Sequence, residues 1–132
     1  MNASRRLALL AAALALPCAA GAQDLPEHPW IIAAIDGTRL TGEYPADITF
    51  SDGRAFGTSG CNRFTGGFAL DGATLRFGPV AGTRMACAPP AMTQEQQLHA
   101  AFDRVRGWRM DGTALLLTDE GGAALLRLEP KP

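Results

Sequence analysis

Ile48-Thr49-Phe50-Ser51-Asp52-Gly53-Arg54-Ala55-Phe56-Gly57-Thr58 is a pair of short β-prone runs on either side of an Asp-Gly dipeptide. Both central residues of a type I′ turn take positive φ, which Gly and Asp tolerate, and the hand of that turn matches the twist of paired antiparallel strands. The stretch therefore predicts a β-hairpin. The same punctuation recurs along the chain: Asp71-Gly72 separates Gly67 to Leu70 from Thr74 to Phe77, and Asp111-Gly112 separates Trp108 to Met110 from Ala114 to Thr118. Upstream, the apolar run Trp30 to Ile35 is bounded by Pro29 and Asp36-Gly37 and reads as a buried strand. A last strand, Ala123 to Leu128, follows the turn Glu120-Gly121-Gly122. The pattern is a meander of hairpins with seven or eight short strands.

One segment has a different period. After Pro89 and Pro90, the apolar residues Leu98, Ala101, Phe102 and Val105 fall at i, i+3, i+4 and i+7, and Thr93 precedes Gln96 by three as a capping box. This predicts one amphipathic helix from Thr93 to Arg106, stopped by Gly107. Its single apolar stripe must cover a surface, and the antiparallel sheet is the surface present. The expected fold is mainly β (α+β): a strongly curved sheet or small barrel, plugged or flanked by the helix.

Residues 1–22 read as a secretory signal peptide. Arg5 and Arg6 form a basic head, Leu7 to Leu16 is apolar, and Ala20-Gly21-Ala22 is a small-residue cleavage site that makes Gln23 the first mature residue. The apolar run is half the roughly 20 residues that a membrane-spanning helix needs, and no later stretch approaches that length. Cys18 offers a lipoprotein alternative, for which Leu16-Pro17 is a poor preceding sequence. The expected location is periplasmic or secreted. Residues 23–29, polar and proline-containing, are read as a mobile leader, residues 30–128 as the domain and residues 129–132 as a tail. Cleavage leaves ten basic and thirteen acidic residues, a net charge of −3. A mildly acidic domain is a poor binder of phosphate backbones, so nucleic acid is excluded as a partner.

With Cys18 removed, Cys61 and Cys87 remain, and an even count in an oxidising compartment favours a disulfide. Closing a loop of about 27 residues stabilises by roughly 3.5 kcal/mol in the chain-entropy view. The competing reading is a reactive thiol, Cys61 with His99 or His28 as its base. It is disfavoured because an unpaired thiol outside the cytoplasm is oxidised.

Little else points to catalysis. His28 and His99 lack second ligands at metal spacing and read as solvated residues. Ser59 lies in Gly57-Thr58-Ser59-Gly60, which is no nucleophile elbow, and the Asp residues before glycines are accounted for by turn chemistry. The glycine-rich stretches lack the Lys and helix of a phosphate loop. No metal, cofactor or catalytic set is expected. In Gly57 to Gly67, Asn62 has a structural reading, its amide bonding to buried main chain, and a functional one, in which Asn62 and Arg63, with Arg84, are candidates for a ligand-facing rim. Arg63 and Arg84, gathered with a carboxylate in one polar pocket, are what an enzyme or inhibitor reading would require.

Phe50, Gly57, Gly60-Cys61-Asn62, Phe64 and Gly66, followed by Thr83-Arg84-Met85-Ala86-Cys87 and then the helix, resemble the META domain, the HslJ-like family. The resemblance covers residues 30–128. It implies a conical, lipocalin-like antiparallel barrel with one helix, in envelope or secreted proteins linked to stress and drug tolerance or virulence, and no established catalytic activity. The expected function is a non-enzymatic envelope domain, monomeric, acting through an envelope protein partner or a small hydrophobic ligand. The alternative is a small-molecule or lipid carrier that uses the barrel interior, which an interior packed by Phe50, Phe56, Phe64 and Phe77 would remove.

Overall fold

The computed structural model describes residues 24–132, so the export signal, the junction between Ala22 and Gln23, and Cys18 lie outside the described residues. From Trp30 onward the chain forms β1 Trp30–Ile35, β2 Thr38–Arg39, β3 Asp47–Ser51, β4 Arg54–Thr58, β5 Arg63–Asp71, β6 Thr74–Gly82, α1 Pro89–Arg104, β7 Gly107–Asp111, β8 Ala114–Thr118 and β9 Ala124–Pro130. All pairings are antiparallel and run in sequence order from β3 to β9. β1 pairs with β9 on one side and with β3 on the other, which closes the sheet into a ring of hydrogen bonds, and β2 hangs on the far end of β1. The ninth strand beyond the expected seven or eight is this two-residue β2.

Of the three Asp-Gly pairs read as hairpin turns, Asp52-Gly53 forms the expected turn and two do not, while Asp36-Gly37, read as a strand boundary, forms such a turn as well. Asp36-Gly37 and Asp52-Gly53 are the central residues of their hairpins, with φ of 49° and 79° and of 49° and 76°. At Asp71-Gly72 and Asp111-Gly112 the turn is displaced by one residue. Asp71 pairs with Thr74 and Asp111 with Ala114 as strand residues, so Gly72 (φ 57°) and Gly112 (φ 59°) hold the first turn position. Positive φ at the first position alone is the type II′ pattern, equally suited to a hairpin. The shift keeps Leu75 and Leu115 on the inner face, where both have 0% exposure, and a one-residue slip would turn every side chain of the strand over.

β5 and β6 are longer than their β-prone runs suggest, each with nine residues. The added residues are rich in glycine, and their pairing is interrupted by a register shift between Gly66 and Phe68. Close approach explains one glycine on the neighbouring strand, because a Cβ on Gly57 would collide with the carbonyl oxygen of Asp47. β6 meets β7 through the single pair Thr74 and Gly107, supported by Leu75 N–H to Arg106 O (3.1 Å) and Trp108 N–H to Ala73 O (3.0 Å). Past Leu75, β6 has no strand on that side among the described residues, and Pro79 lies in that run.

The helix begins and ends earlier than the sequence suggests. Pro89 and Pro90 occupy its first turn, where the missing N–H costs nothing, and Ala88 is the N-cap with no side-chain bond. Thr93 is exposed inside the helix, so the capping box does not form. Val105 ends the helix in an extended conformation and Gly107 opens β7. Leu98, Ala101, Phe102 and Val105 are buried at 1% exposure or less and join Trp30, Ile48, Phe50, Phe64, Leu75, Leu115, Leu117, Leu126 and Leu128 in one cluster inside the ring. Phe102 stacks near Phe64 (5.1 Å between centroids) and Phe77 (4.8 Å). Leu25, upstream of β1, is also buried in this cluster, and the Trp30 indole donates to Pro26 O (3.2 Å). Among the described residues no helix is long and apolar enough to cross a membrane.

Candidate functional site

The signature residues meet where the β4–β5 turn faces the segment between β6 and α1. Ser59, fully buried, closes that turn by accepting the N–H groups of Cys61 (3.2 Å) and Asn62 (3.1 Å). Asn62, 3% exposed, reaches across to the other segment. Its Oδ1 accepts from Met85 N–H (2.7 Å) and the Thr83 hydroxyl (3.0 Å), and its Nδ2 donates to Met85 O (3.3 Å) and Glu95 Oε2 (3.2 Å). Ser59 Oγ donates to Glu95 Oε1 (2.9 Å), so both carboxylate oxygens are held by the turn. Gln94 donates to Ser59 O (2.7 Å) and Tyr44 O (2.8 Å). A disulfide joins Cys61 to Cys87 over the same gap. Among the described residues no buried side-chain polar atom lacks a partner, which makes this a fully bonded clasp between sheet and helix.

Beside the clasp, on the outer side of β4, β5 and β6, lies a groove of about 630 Å³ lined by Phe56, Thr58, Arg63, Thr65, Ala81 and Thr83, with Asp47 at one end. The register explains it. Ala55 pairs with Phe50 and faces inward at 2% exposure, so Phe56 faces outward, and the pairs Phe56 with Thr65 and Thr65 with Ala81 set the floor. Phe56 is 45% exposed. Of the four phenylalanines named for the interior, then, Phe50 and Phe64 are buried, Phe77 is partly buried and Phe56 is outside.

The residues named from sequence are neighbours with unlike surroundings. Asn62 is enclosed in the clasp, Arg63 is exposed and lines the groove, and Arg84 is exposed one residue beyond the groove residue Thr83. Arg63 N–H donates to Thr83 Oγ1 (3.1 Å) and Thr83 N–H to Arg63 O (3.0 Å), which zips the two segments together. His28 is exposed against Trp30, with ring centroids 4.0 Å apart. His99 differs from its solvated reading, since it is half-buried and edge-on to Phe64 and Phe102. Among the described residues no three His, Cys, Asp or Glu side chains gather as a metal site. Sequence reasoning passed over Ser59, Gln94 and Glu95 as clasp members and Phe56 as a groove residue. The central position of Asp52-Gly53 was the available signal for Phe56, because it pairs Phe50 with Ala55 and turns Phe56 outward.

A closed antiparallel sheet capped by one helix, with a Gly-Cys-Asn turn cross-linked to a Thr-Arg-Met-Ala-Cys segment, defines a class of small β-rich domain. The META domain family matches residues 23–132, and the chain belongs to it. It is similar to the heat shock protein HslJ of Escherichia coli (strain K12), 30% identical over 73 residues, which are 54% of this chain and 52% of that protein. The match thus spans about half the length of that curated relative. Among solved structures, the NMR structure of a protein from Burkholderia xenovorans is 30% identical, covers 83% of this chain and 86% of its own, and superposes with a TM-score of 0.66. A second NMR structure, 22% identical over 83% of this chain and 93% of its own, has a TM-score of 0.65 and shares the fold.

Proposed function

We propose that this is an exported, non-enzymatic META-domain protein of the periplasm or external medium, monomeric, that supports envelope integrity and stress or drug tolerance. In this reading the closed sheet is a conical, lipocalin-like barrel that acts through its surface, on a small hydrophobic ligand or an envelope protein partner. The observation that carries it is the family membership with a relative named as a heat shock protein. The disulfide supports the location, since such bonds persist outside the reducing cytoplasm. The clasp supports the absence of catalysis, because Ser59, Asn62 and Glu95 are bonded to one another and to main chain. The interior carrier alternative is the weaker reading, because Trp30, Phe50, Phe64, Phe102 and eight leucines pack into one core cluster.

Survival of a deletion strain under heat and membrane-active drugs tests the proposal. The expected result is lowered survival that the gene restores in trans. A deletion strain indistinguishable from its parent in both treatments overturns it.

A further inference from the structure

We propose that the groove outside β4, β5 and β6 binds a small anionic amphiphile, with its head on the Arg63 guanidinium and its apolar tail over Phe56 and Ala81. This rests on the small-ligand form of the function proposed above and adds the place and the charge. The groove's polar groups are already occupied, with one exception. Asp47 Oδ2 is paired with Lys131 Nζ (3.0 Å), and its Oδ1 accepts Thr58 N–H (3.3 Å). The Thr58 hydroxyl accepts Gly60 N–H (3.2 Å), the Thr83 hydroxyl is bonded to Asn62 and Arg63 N–H, and the Thr65 hydroxyl accepts from Arg54 (3.2 Å). The remaining lining charge is Arg63, which takes part in none of the ion pairs formed among the described residues, and neither do the flanking Arg54 and Arg84.

The chain as a whole is acidic, with a formal charge of −1, yet the groove's one carboxylate, Asp47, is paired with Lys131 and leaves Arg63 without an ion-pair partner among the described residues. An unpaired guanidinium beside an exposed phenyl selects a compact anion attached to an apolar body, and it disfavours a cation. A volume of about 630 Å³ is that of a small-molecule site, which favours a free amphiphile over a folded partner.

Laurate, kept below its micelle concentration, is the probe, titrated into isotopically labelled protein and followed by amide chemical shifts. The expected result is saturable shifts at Phe56, Arg63, Thr65 and Ala81, with a cationic amphiphile of the same chain length binding at least about tenfold more weakly. Arg63→Gln and Phe56→Ser each weaken laurate about tenfold, and because both side chains are exposed their thermal midpoints stay near the parent's. Equal affinity in Arg63→Gln and parent overturns the proposal. So do equal affinity for the cationic amphiphile, shifts confined to residues outside the groove, and binding to anionic vesicles without binding to laurate. If laurate does not bind while the deletion strain remains sensitive, the amphiphile is excluded and the stress role stands. If laurate binds as described and the strain is unaffected, the stress role falls and the site stands.

Discussion

Asn62 carries the most consequences for its size, because one amide satisfies main-chain groups of Met85, the Thr83 hydroxyl and the Glu95 carboxylate at once. Asn62→Ala removes these bonds from a buried side chain whose partners Thr83 and Met85 are themselves exposed, so water replaces part of them, and the expected loss is about 1–3 kcal/mol. Urea unfolding checks it, with a lowered midpoint and an unchanged slope. Gly60 makes the turn possible at φ +96°, and a Cβ there would stand 2.7 Å from Tyr44 O and 2.6 Å from Gln94 Nε2. Gly60→Ala therefore adds a clash to a left-handed backbone. Its expected loss is roughly 2–3 kcal/mol, against about 1 kcal/mol for Gly53→Ala, where φ is +76° and none of the described residues lies within 4 Å of the added Cβ. Equal losses at the two glycines in the same unfolding assay would contradict the clasp's tight packing. The sequence pointed to Asn62 through its place between Cys61 and Arg63, but its partners lie 21 to 33 residues away and no local pattern names them.

Besides the polar bonds of Gln94 and Glu95, two ties hold the helix end of the chain to the sheet and can be separated by experiment. Apolar contact comes from Phe102, buried at 1% between Phe64 and Phe77, and Phe102→Ala is expected to cost about 3–5 kcal/mol as transfer and cavity terms combine. The covalent tie spans 26 residues, so replacing Cys61 and Cys87 together by Ser is expected to cost roughly 3.5 kcal/mol and to lower the thermal midpoint by about 15 °C. Calorimetry with and without reductant measures the second directly, and reductant is expected to leave the midpoint of the double variant unchanged. The apolar stripe of the helix was legible because it repeats within four residues. Its start was not, because Pro89 and Pro90 read as breakers until they are seen to fill the first turn.

The whole sheet closes through seams of unequal length. β1 and β9 share five Cα pairs from Trp30 to Ile35 and β1 and β3 share two, whereas β6 and β7 share one. Native-state hydrogen exchange is expected to protect Leu126 and Leu128 best and to release Leu75 and Trp108 sooner, since amides at a short seam open locally without global unfolding. Equal protection at both seams would place the weak point elsewhere. At this scale the sequence was least informative. A meander predicts which strands are neighbours in order, but the pairing of the first strand with the last is a long-range event.

The amino-acid sequence by itself determined the hairpin meander, the apolar face of the single helix, the two cysteines that pair and the family motifs. These depend on periods of two and of three to four residues and on turn chemistry, all of which are local. Tertiary structure decided that two Asp-Gly turns shift by one residue, that Phe56 faces solvent, that Asn62 and Glu95 belong to one clasp and that Arg63 forms no ion pair among the described residues. Each of these depends on which distant segments meet when the ring closes, and only that meeting determines whether a polar group finds a partner or remains open to a ligand.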